Sequence, residues 1–142
     1  ERINYFDTVG IVGDMYQSHC VLLFAKVIAK YTGESREQIL KELSEIEPEI
    51  VQLSRNIKYK GNAPTECKIL TSYRGIELEA DLAKMVSADK YILTNDIDKW
   101  NLDYGACAYE NVLKKIKSND KSFFLAEEEV DYLWGHTSII SC

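Results

Sequence analysis

An apolar segment near the start of the chain constrains the fold more than any other feature. The segment Cys20–Ala29 contains a single charged residue, Lys26, in an otherwise apolar run. His19 lies one heptad before Lys26 and Lys30 lies one helical turn after it, so a helix here carries one narrow polar stripe. A helix that is apolar on most sides belongs in the middle of a domain. We therefore predict a central helix over about Met15–Tyr31, which Gly33 caps at its carboxyl end. Three of its apolar side chains are expected to be buried: Leu23, Phe24 and Ile28.

Helix signals recur along the rest of the chain. Ser35 followed by Gln38 is a capping box, and Pro48 suits the first turn of a further helix that runs to about Tyr59. Another helix is expected to begin near Pro64 and to place apolar residues on a drifting face. The predicted fold class is therefore all-α, with about five to six helices packed around the central apolar helix.

The alternative fold is α+β with a small accessory sheet. In this alternative Lys68–Tyr73 is a strand and a helix begins at about Glu77, because Gly75 interrupts a continuous helix. Tyr91–Thr94 is a further short-strand candidate. A helical stripe is expected farther along the chain, from Ala108, Val112, Leu113 and Ile116.

The length and composition of the chain are those of one folded domain. It has 142 residues, of which 46% are hydrophobic and 28% are charged, and this is enough to bury a core. We expect residues 1–142 to form a single helix-rich domain, and a first residue other than Met allows it to be a piece of a longer protein. The longest apolar run reaches only about half of the ~20 residues that cross a bilayer, which predicts no membrane span.

The four cysteines and two histidines show no metal-ligand spacing. Because neither Cys-x-x-Cys nor His-x-x-x-His occurs, we expect no structural metal and no cofactor. The cysteines are too few for a disulfide framework and are expected to be reduced thiols, which predicts a cytoplasmic protein.

An acidic loop provides an enzymatic alternative. Its alternating carboxylates do not match a calcium-binding loop, since Asn101 stands where that loop needs glycine. A magnesium ion held by one or two carboxylates and a substrate phosphate needs no such pattern. The alternative function is therefore a small metal-assisted hydrolase that uses Asp96, Asp98 and Asp103.

Charge and tyrosine content favour binding over catalysis. The formal net charge of −6 disfavours nucleic acid and favours a protein partner with a basic surface. The segment Glu34–Glu49 is rich in glutamate, and Tyr91–Tyr109 is rich in tyrosine, which is enriched at binding surfaces. We predict a non-catalytic protein-interaction or regulatory module, either of the inhibitor, immunity or antitoxin type or part of a larger protein. Its predicted partner-binding residues are Glu37, Glu42, Glu45, Tyr91, Trp100, Tyr104 and Tyr109.

Overall fold

A computed structural model describes residues 2–84, 91–93, 99–101 and 108–135. The helical elements are α1 (Arg2–Ile11), a π-helix (Val12–Cys20), α2 (Val21–Thr32), α3 (Arg36–Ser44), α4 (Ala108–Lys117), a 3₁₀ turn (Lys121–Phe123) and α5 (Glu127–Trp134). The strands are β1 (Glu49–Ser54), β2 (Glu66–Tyr73), β3 (Ile76–Ala83), β4 (Tyr91–Leu93) and β5 (Lys99–Asn101).

The contacts divide the chain into two compact units. Unit 1 comprises Glu1–Val86 and Glu127–Cys142, and unit 2 is the intervening segment Ser87–Ala126. Unit 1 holds α1, the π-helix, α2, α3, the sheet β1–β3 and α5, whereas unit 2 holds β4, β5, α4 and the 3₁₀ turn. The expectation of a single domain stays a prediction, because a grouping of contacts does not test independent folding.

The fold class is α+β, so the prediction of an all-α domain of helices is wrong. Strands β1, β2 and β3 form an antiparallel sheet in that order. This sheet is not an accessory, because its inner face contributes Cys67, Ile69 and Tyr73 to the main core. The helix predicted from Pro48 is instead strand β1, and the helix predicted from Pro64 is replaced by strands β2 and β3.

Strands β2 and β3 form a regular hairpin. They pair without interruption from Glu66 opposite Ala83 to Tyr73 opposite Ile76. The two turn residues, Arg74 with φ 50° and Gly75 with φ 82°, both lie in the left-handed region. Two such residues are typical of the tight turn whose twist matches the flanking strands. Gly75, which counts against a helix in the sequence, is therefore the residue that allows this hairpin.

The structure confirms the extent of the predicted central helix, although only its second part is an α-helix. The π-helix forms its first part, and α2 continues it to Thr32. Gly33 ends α2 in the left-handed conformation, and its N–H donates to the Ala29 carbonyl at 2.9 Å. Ile28 is buried as predicted, whereas Phe24 and Leu23 are only partly buried. The polar stripe therefore does not decide burial alone, because the wider π-helix that precedes α2 changes which side chains of α2 face the core.

One long helical run lies at the start of the described chain. Ile3–Thr32 is long and apolar enough to span a membrane by length and composition, and 44% of its most apolar window is buried in the structure. Gly10, with φ 68° and ψ 174°, interrupts helical geometry inside this run. Ile11, Ala25 and Ile28 of the same run lie in the core, as is typical of the core helix of a globular unit.

The helix nearest the carboxyl end of unit 1 is held to the rest of the unit by packing and by an ion pair. Helix α5 packs against α3 and the π-helix. Glu129 of α5 is buried and accepts from Arg36 at the start of α3, with Nε–Oε1 at 2.6 Å and a second bond from an Nη atom to Oε2 at 2.7 Å. This two-point pairing fixes the angle as well as the distance between the two helices.

Unit 2 contains a short hairpin and an amphipathic helix. Strand β4 confirms the predicted strand at Tyr91, and β5 lies in a segment predicted to be loop. Helix α4 coincides with the predicted helical stripe, but Leu113 and Ile116 of that stripe are exposed in the structure. The pattern thus predicts the helix correctly, but two of the residues that it assigns to the buried face are exposed.

Candidate interaction surface

Two of the predicted acidic residues, one on α3 and one directly after it, are available to a partner. Glu37 and Glu45 are exposed, and Ser35 caps the helix as predicted, with its Oγ accepting from the Gln38 N–H at 3.1 Å. Lys41 is exposed between the two glutamates in sequence. This part of α3 therefore carries charges of both signs, and it is less negative than the glutamate content of the segment suggests.

Glu42, the third predicted residue of α3, is engaged within unit 1. Its carboxylate accepts from Gln38 Nε2 at 2.9 Å, from an Nη atom of Arg74 at 2.5 Å and from Tyr73 Oη at 3.0 Å. The bond from Gln38 and then the bond from Arg74 lower the pKa of Glu42. Arg74 also binds Glu34 at 2.8 Å. Glu42 and Glu34 thus tie α3 to the β2–β3 turn.

The predicted tyrosine-bearing region lies in unit 2. The backbones of Tyr91 and Trp100 lie on the paired strands β4 and β5, where Trp100 is opposite Ile92. Tyr109 lies in the first turn of α4, and Tyr104 lies outside the described residues. The role of these residues in binding stays a prediction.

The three carboxylates of the predicted magnesium loop also lie outside the described residues. Asp96, Asp98 and Asp103 all belong to segments that the structure does not describe. Within residues 2–84, 91–93, 99–101 and 108–135, no three His, Cys, Asp or Glu side chains form a group that could hold a metal ion. The hydrolase hypothesis therefore receives no test from the described part of the chain.

The outer face of the sheet in unit 1 is rich in carboxylates. Glu77, Glu79 and Asp81 occupy alternate positions of β3 and are all exposed. On the neighbouring strand Lys68 lies opposite Asp81, and its Nζ binds Glu79 Oε1 at 2.9 Å. This pairing raises the pKa of Lys68, and it leaves Glu77 and Asp81 with no ion-pair partner among the described residues.

Two more carboxylates extend this face across the other strands. Glu66 of β2 accepts from Ser54 Oγ at 2.7 Å, and Glu49 of β1 lies opposite Leu70, whose side of β2 is the outer one. Within the three described strands, the outer sheet face therefore carries five carboxylates against one cation, Lys68. We call these residues the acidic sheet face: Glu49, Glu66, Lys68, Glu77, Glu79 and Asp81.

The sequence contains a signal for this surface. Ile76–Ala83 alternates apolar and polar residues, and such a period of two indicates a strand with one buried and one exposed face. Leucine, glutamate and alanine are also strong helix formers, and that propensity favoured a helix over the same segment. Pairing with β2 decides the outcome, since strand propensity depends on the neighbours that a segment packs against.

A polar cluster lies on the inner face of the sheet. Tyr16 Oη of the π-helix and Thr71 Oγ1 of β2 are 2.6 Å apart in the buried interior. Burial raises the pKa of the Cys20 thiol to about 12 and that of the Cys67 thiol to about 11. Both thiols are protonated at neutral pH and are poor nucleophiles. The amide of Gln17 is also buried, and neither its nitrogen nor its oxygen has a hydrogen-bond partner within the described part of the chain.

A basic residue lies beside the Arg36–Glu129 pair. Partial burial and the positive charge of Arg36 lower the pKa of Lys26, while Glu129 raises it. Lys26 is nevertheless an exposed residue of α2. The side chains of Lys26, Arg36 and Glu129 form a charged cluster between α2, α3 and α5. In this cluster one carboxylate lies near two cations.

Comparison with known proteins gives no relative for this arrangement. No protein-family model matches the chain, and neither a curated protein nor a solved structure is significantly similar to it.

Proposed function

We propose that this chain is a non-catalytic protein-interaction or regulatory module that binds a partner with a basic surface. The observation that carries the proposal is the acidic sheet face, where five carboxylates share one face of the sheet with a single lysine. The proposed partner is a protein, since the formal net charge of −6 disfavours nucleic acid and membrane surfaces of negative charge. A cytoplasmic location is part of this proposal.

The geometry favours the sheet over α3 as the binding surface. At α3 the carboxylates of Glu42 and of Glu34, which lies just before the helix, are already paired with Arg74. On the sheet, Glu77 and Asp81 are exposed on a regular strand, and of the three β3 carboxylates Glu79 alone is paired with a described residue. Carboxylates held in a row on one rigid strand lose little conformational entropy on binding. Most of their electrostatic attraction for a basic partner therefore contributes to the free energy of binding.

The chemistry of the inner cluster supports binding rather than nucleophilic catalysis in the described part of the chain. The thiols of Cys20 and Cys67 need a base to become reactive, and burial has raised their pKa values instead. His19, the one histidine among the described residues, is exposed on the π-helix. These groups do not combine into a nucleophile and its base.

The test compares two charge-reversed variants that have the same net charge. Glu77→Lys/Asp81→Lys changes the sheet face, and Glu37→Lys/Glu45→Lys changes α3 by the same amount. The probe is a fluorescein-labelled oligolysine peptide, and its anisotropy is titrated at low salt with far-UV circular dichroism as the check of folding. We expect the sheet variant to bind the probe roughly tenfold more weakly than the α3 variant.

The comparison distinguishes binding at the acidic sheet face from a general attraction between opposite net charges. Because both variants carry the same net charge, an equal loss of affinity would mean that the peptide responds only to overall charge. A larger loss in the α3 variant would assign binding to Glu37 and Glu45. Either result would overturn the choice of the sheet face.

A further inference from the structure

Strand β3 lies at one edge of the sheet among the strands that the structure describes. It pairs with β2 over all eight of its residues, and the pairing continues to Lys84, whose N–H donates to the Thr65 carbonyl at 2.8 Å. In an antiparallel pair every second residue makes such bonds to the neighbouring strand. Counting back from Lys84 assigns the bonds with β2 to the inner-face residues of β3: Ile76, Leu78, Ala80 and Leu82.

The acidic residues of β3 direct their backbone groups toward the open edge. The N–H and C=O groups of Glu77, Glu79 and Asp81 point away from β2, and no described residue forms a backbone hydrogen bond with them. The side chains of the same three residues are exposed on the outer face of the sheet. Alternate positions along this edge therefore offer a donor, an acceptor and a negative charge together.

The inner face of the sheet is incompletely covered at the same edge. Leu78 and Leu82 pack against the core but are only half-buried, and Ile76 is 40% exposed. A further strand beside β3 would place its own inner-face side chains next to these three residues. The edge thus has apolar area to cover as well as hydrogen bonds to form.

Two other pairings are less favourable than the addition of a basic strand to β3. Strand β1 is the other edge of the described sheet, and its register shifts between Ile50 and Gln52, which is the kind of bulge that obstructs edge pairing. A second copy of β3 would bring carboxylates opposite carboxylates, and like charges directly opposite each other are destabilising. The occupant that suits this edge is therefore another chain with positive charge at alternate positions.

We propose that the partner binds through an extended segment that adds antiparallel to β3 as a fourth strand and alternates basic with apolar residues. This inference rests on the proposed function and specifies the form in which the basic partner binds. The partner residues directly opposite Glu77, Glu79 and Asp81 lie on the outer face, where each lysine or arginine meets a carboxylate. The residues between them lie beside Leu78 and Leu82. Backbone hydrogen bonds hold the segment, and the alternation selects it.

The test uses a fluorescein-labelled peptide that alternates lysine and valine, titrated by anisotropy at low salt. Two derivatives carry the same number of N-methyl groups, one on lysine amides and the other on valine amides. In the proposed register the lysine N–H groups donate to β3, whereas the valine N–H groups point away from it. We expect the lysine-methylated derivative to bind at least about tenfold more weakly than the unmodified peptide, and the valine-methylated one within about twofold of it.

The outcomes distinguish this inference from the proposed function. Because both derivatives have the same charge, equal affinities would overturn strand addition and leave a basic partner in place. A greater loss in the valine-methylated derivative would overturn the antiparallel register. If the unmodified peptide binds Glu77→Lys/Asp81→Lys as tightly as the parent chain, the proposed function fails and this inference fails with it.

A matched pair of variants tests the same bonds from the side of the protein. Glu79→Ala and Glu79→Pro both remove one carboxylate, but only proline also removes the N–H that faces the open edge, and neither change removes a bond with β2. With folding checked by far-UV circular dichroism, Glu79→Pro should bind the unmodified peptide roughly fivefold more weakly than Glu79→Ala. Equal affinities in two folded variants would overturn strand addition. The peptide comparison decides the question if the proline variant does not fold.

Discussion

The ion pair between Arg36 and Glu129 makes an asymmetric prediction about stability. Its two partners are buried to different depths, with side chains that are 21% and 5% exposed. Breaking a buried ion pair by removing one partner costs about 3–5 kcal/mol, mostly because the other charge is left without compensation. Arg36→Gln removes the bidentate partner of the deeper group and should cost about 3–4 kcal/mol. Glu129→Gln strands the guanidinium, which can turn toward water, and should cost about 2 kcal/mol.

The cost of Arg36→Gln should also depend on pH. Without the guanidinium, burial raises the pKa of Glu129 in the folded state above its value in the unfolded chain. The folded protein then binds a proton more readily than the unfolded chain does, so stability decreases as pH rises between the two pKa values. The difference in stability between parent and variant should therefore be smaller at about pH 5 than at about pH 7. Lys26, which lies near the same carboxylate, should reduce the effect.

Urea unfolding followed by far-UV circular dichroism measures both effects. The control is Glu110→Gln, which removes the exposed pair between Glu110 and Lys114 and should change the free energy of unfolding by less than about 0.5 kcal/mol. Equal losses in Arg36→Gln and Glu129→Gln would refute the reasoning from burial. A loss in Arg36→Gln that does not change with pH would show that Glu129 reaches water or another cation.

Three further predictions concern the interior of unit 1. Ile28→Ala should cost about 2–5 kcal/mol in urea unfolding and Leu23→Ala less than half as much, because only Ile28 of the two is fully buried; equal costs would contradict the burial. Gln17→Met should raise the free energy of unfolding by about 1 kcal/mol, since it removes a buried amide that no described residue satisfies; a clear loss would show that the amide is satisfied in solution. Iodoacetamide at about pH 8 should leave Cys20 and Cys67 unmodified in the folded protein and modify them in urea, as peptide mass spectrometry would show.

The features predicted correctly from the sequence are those that interactions between neighbouring residues determine. Gly33 ends α2 because a left-handed residue is needed there, and Ser35 caps α3 because its hydroxyl reaches the Gln38 N–H. Both are consequences of a few neighbouring residues. The central helix is equally local, since a long apolar run without proline or glycine favours it whatever lies around it.

The incorrect predictions concern segments that a distant part of the chain decides. The segment at Ile76 has the composition of a helix and the alternation of a strand, and pairing with β2 selects the strand. The surroundings of Glu42 are decided in the same way, while its binding of a partner stays a prediction. The hairpin brings Arg74 to it from 32 residues away, which no spacing in the sequence reveals. Surface charge can therefore be counted from a sequence, but its neutralisation can be seen only in the fold.

The pairing of Arg36 with Glu129 also affects the order in which the protein can be made. The two residues are 93 positions apart, and unit 2 is synthesised between them. A ribosome that adds about 5–20 residues per second needs roughly 5 to 20 seconds to cover that distance. During this interval α3 has left the exit tunnel, but the helix that packs on it does not yet exist. The side of α3 that α5 covers in the folded unit is therefore exposed in the nascent chain. We expect a chaperone to bind the chain at this stage.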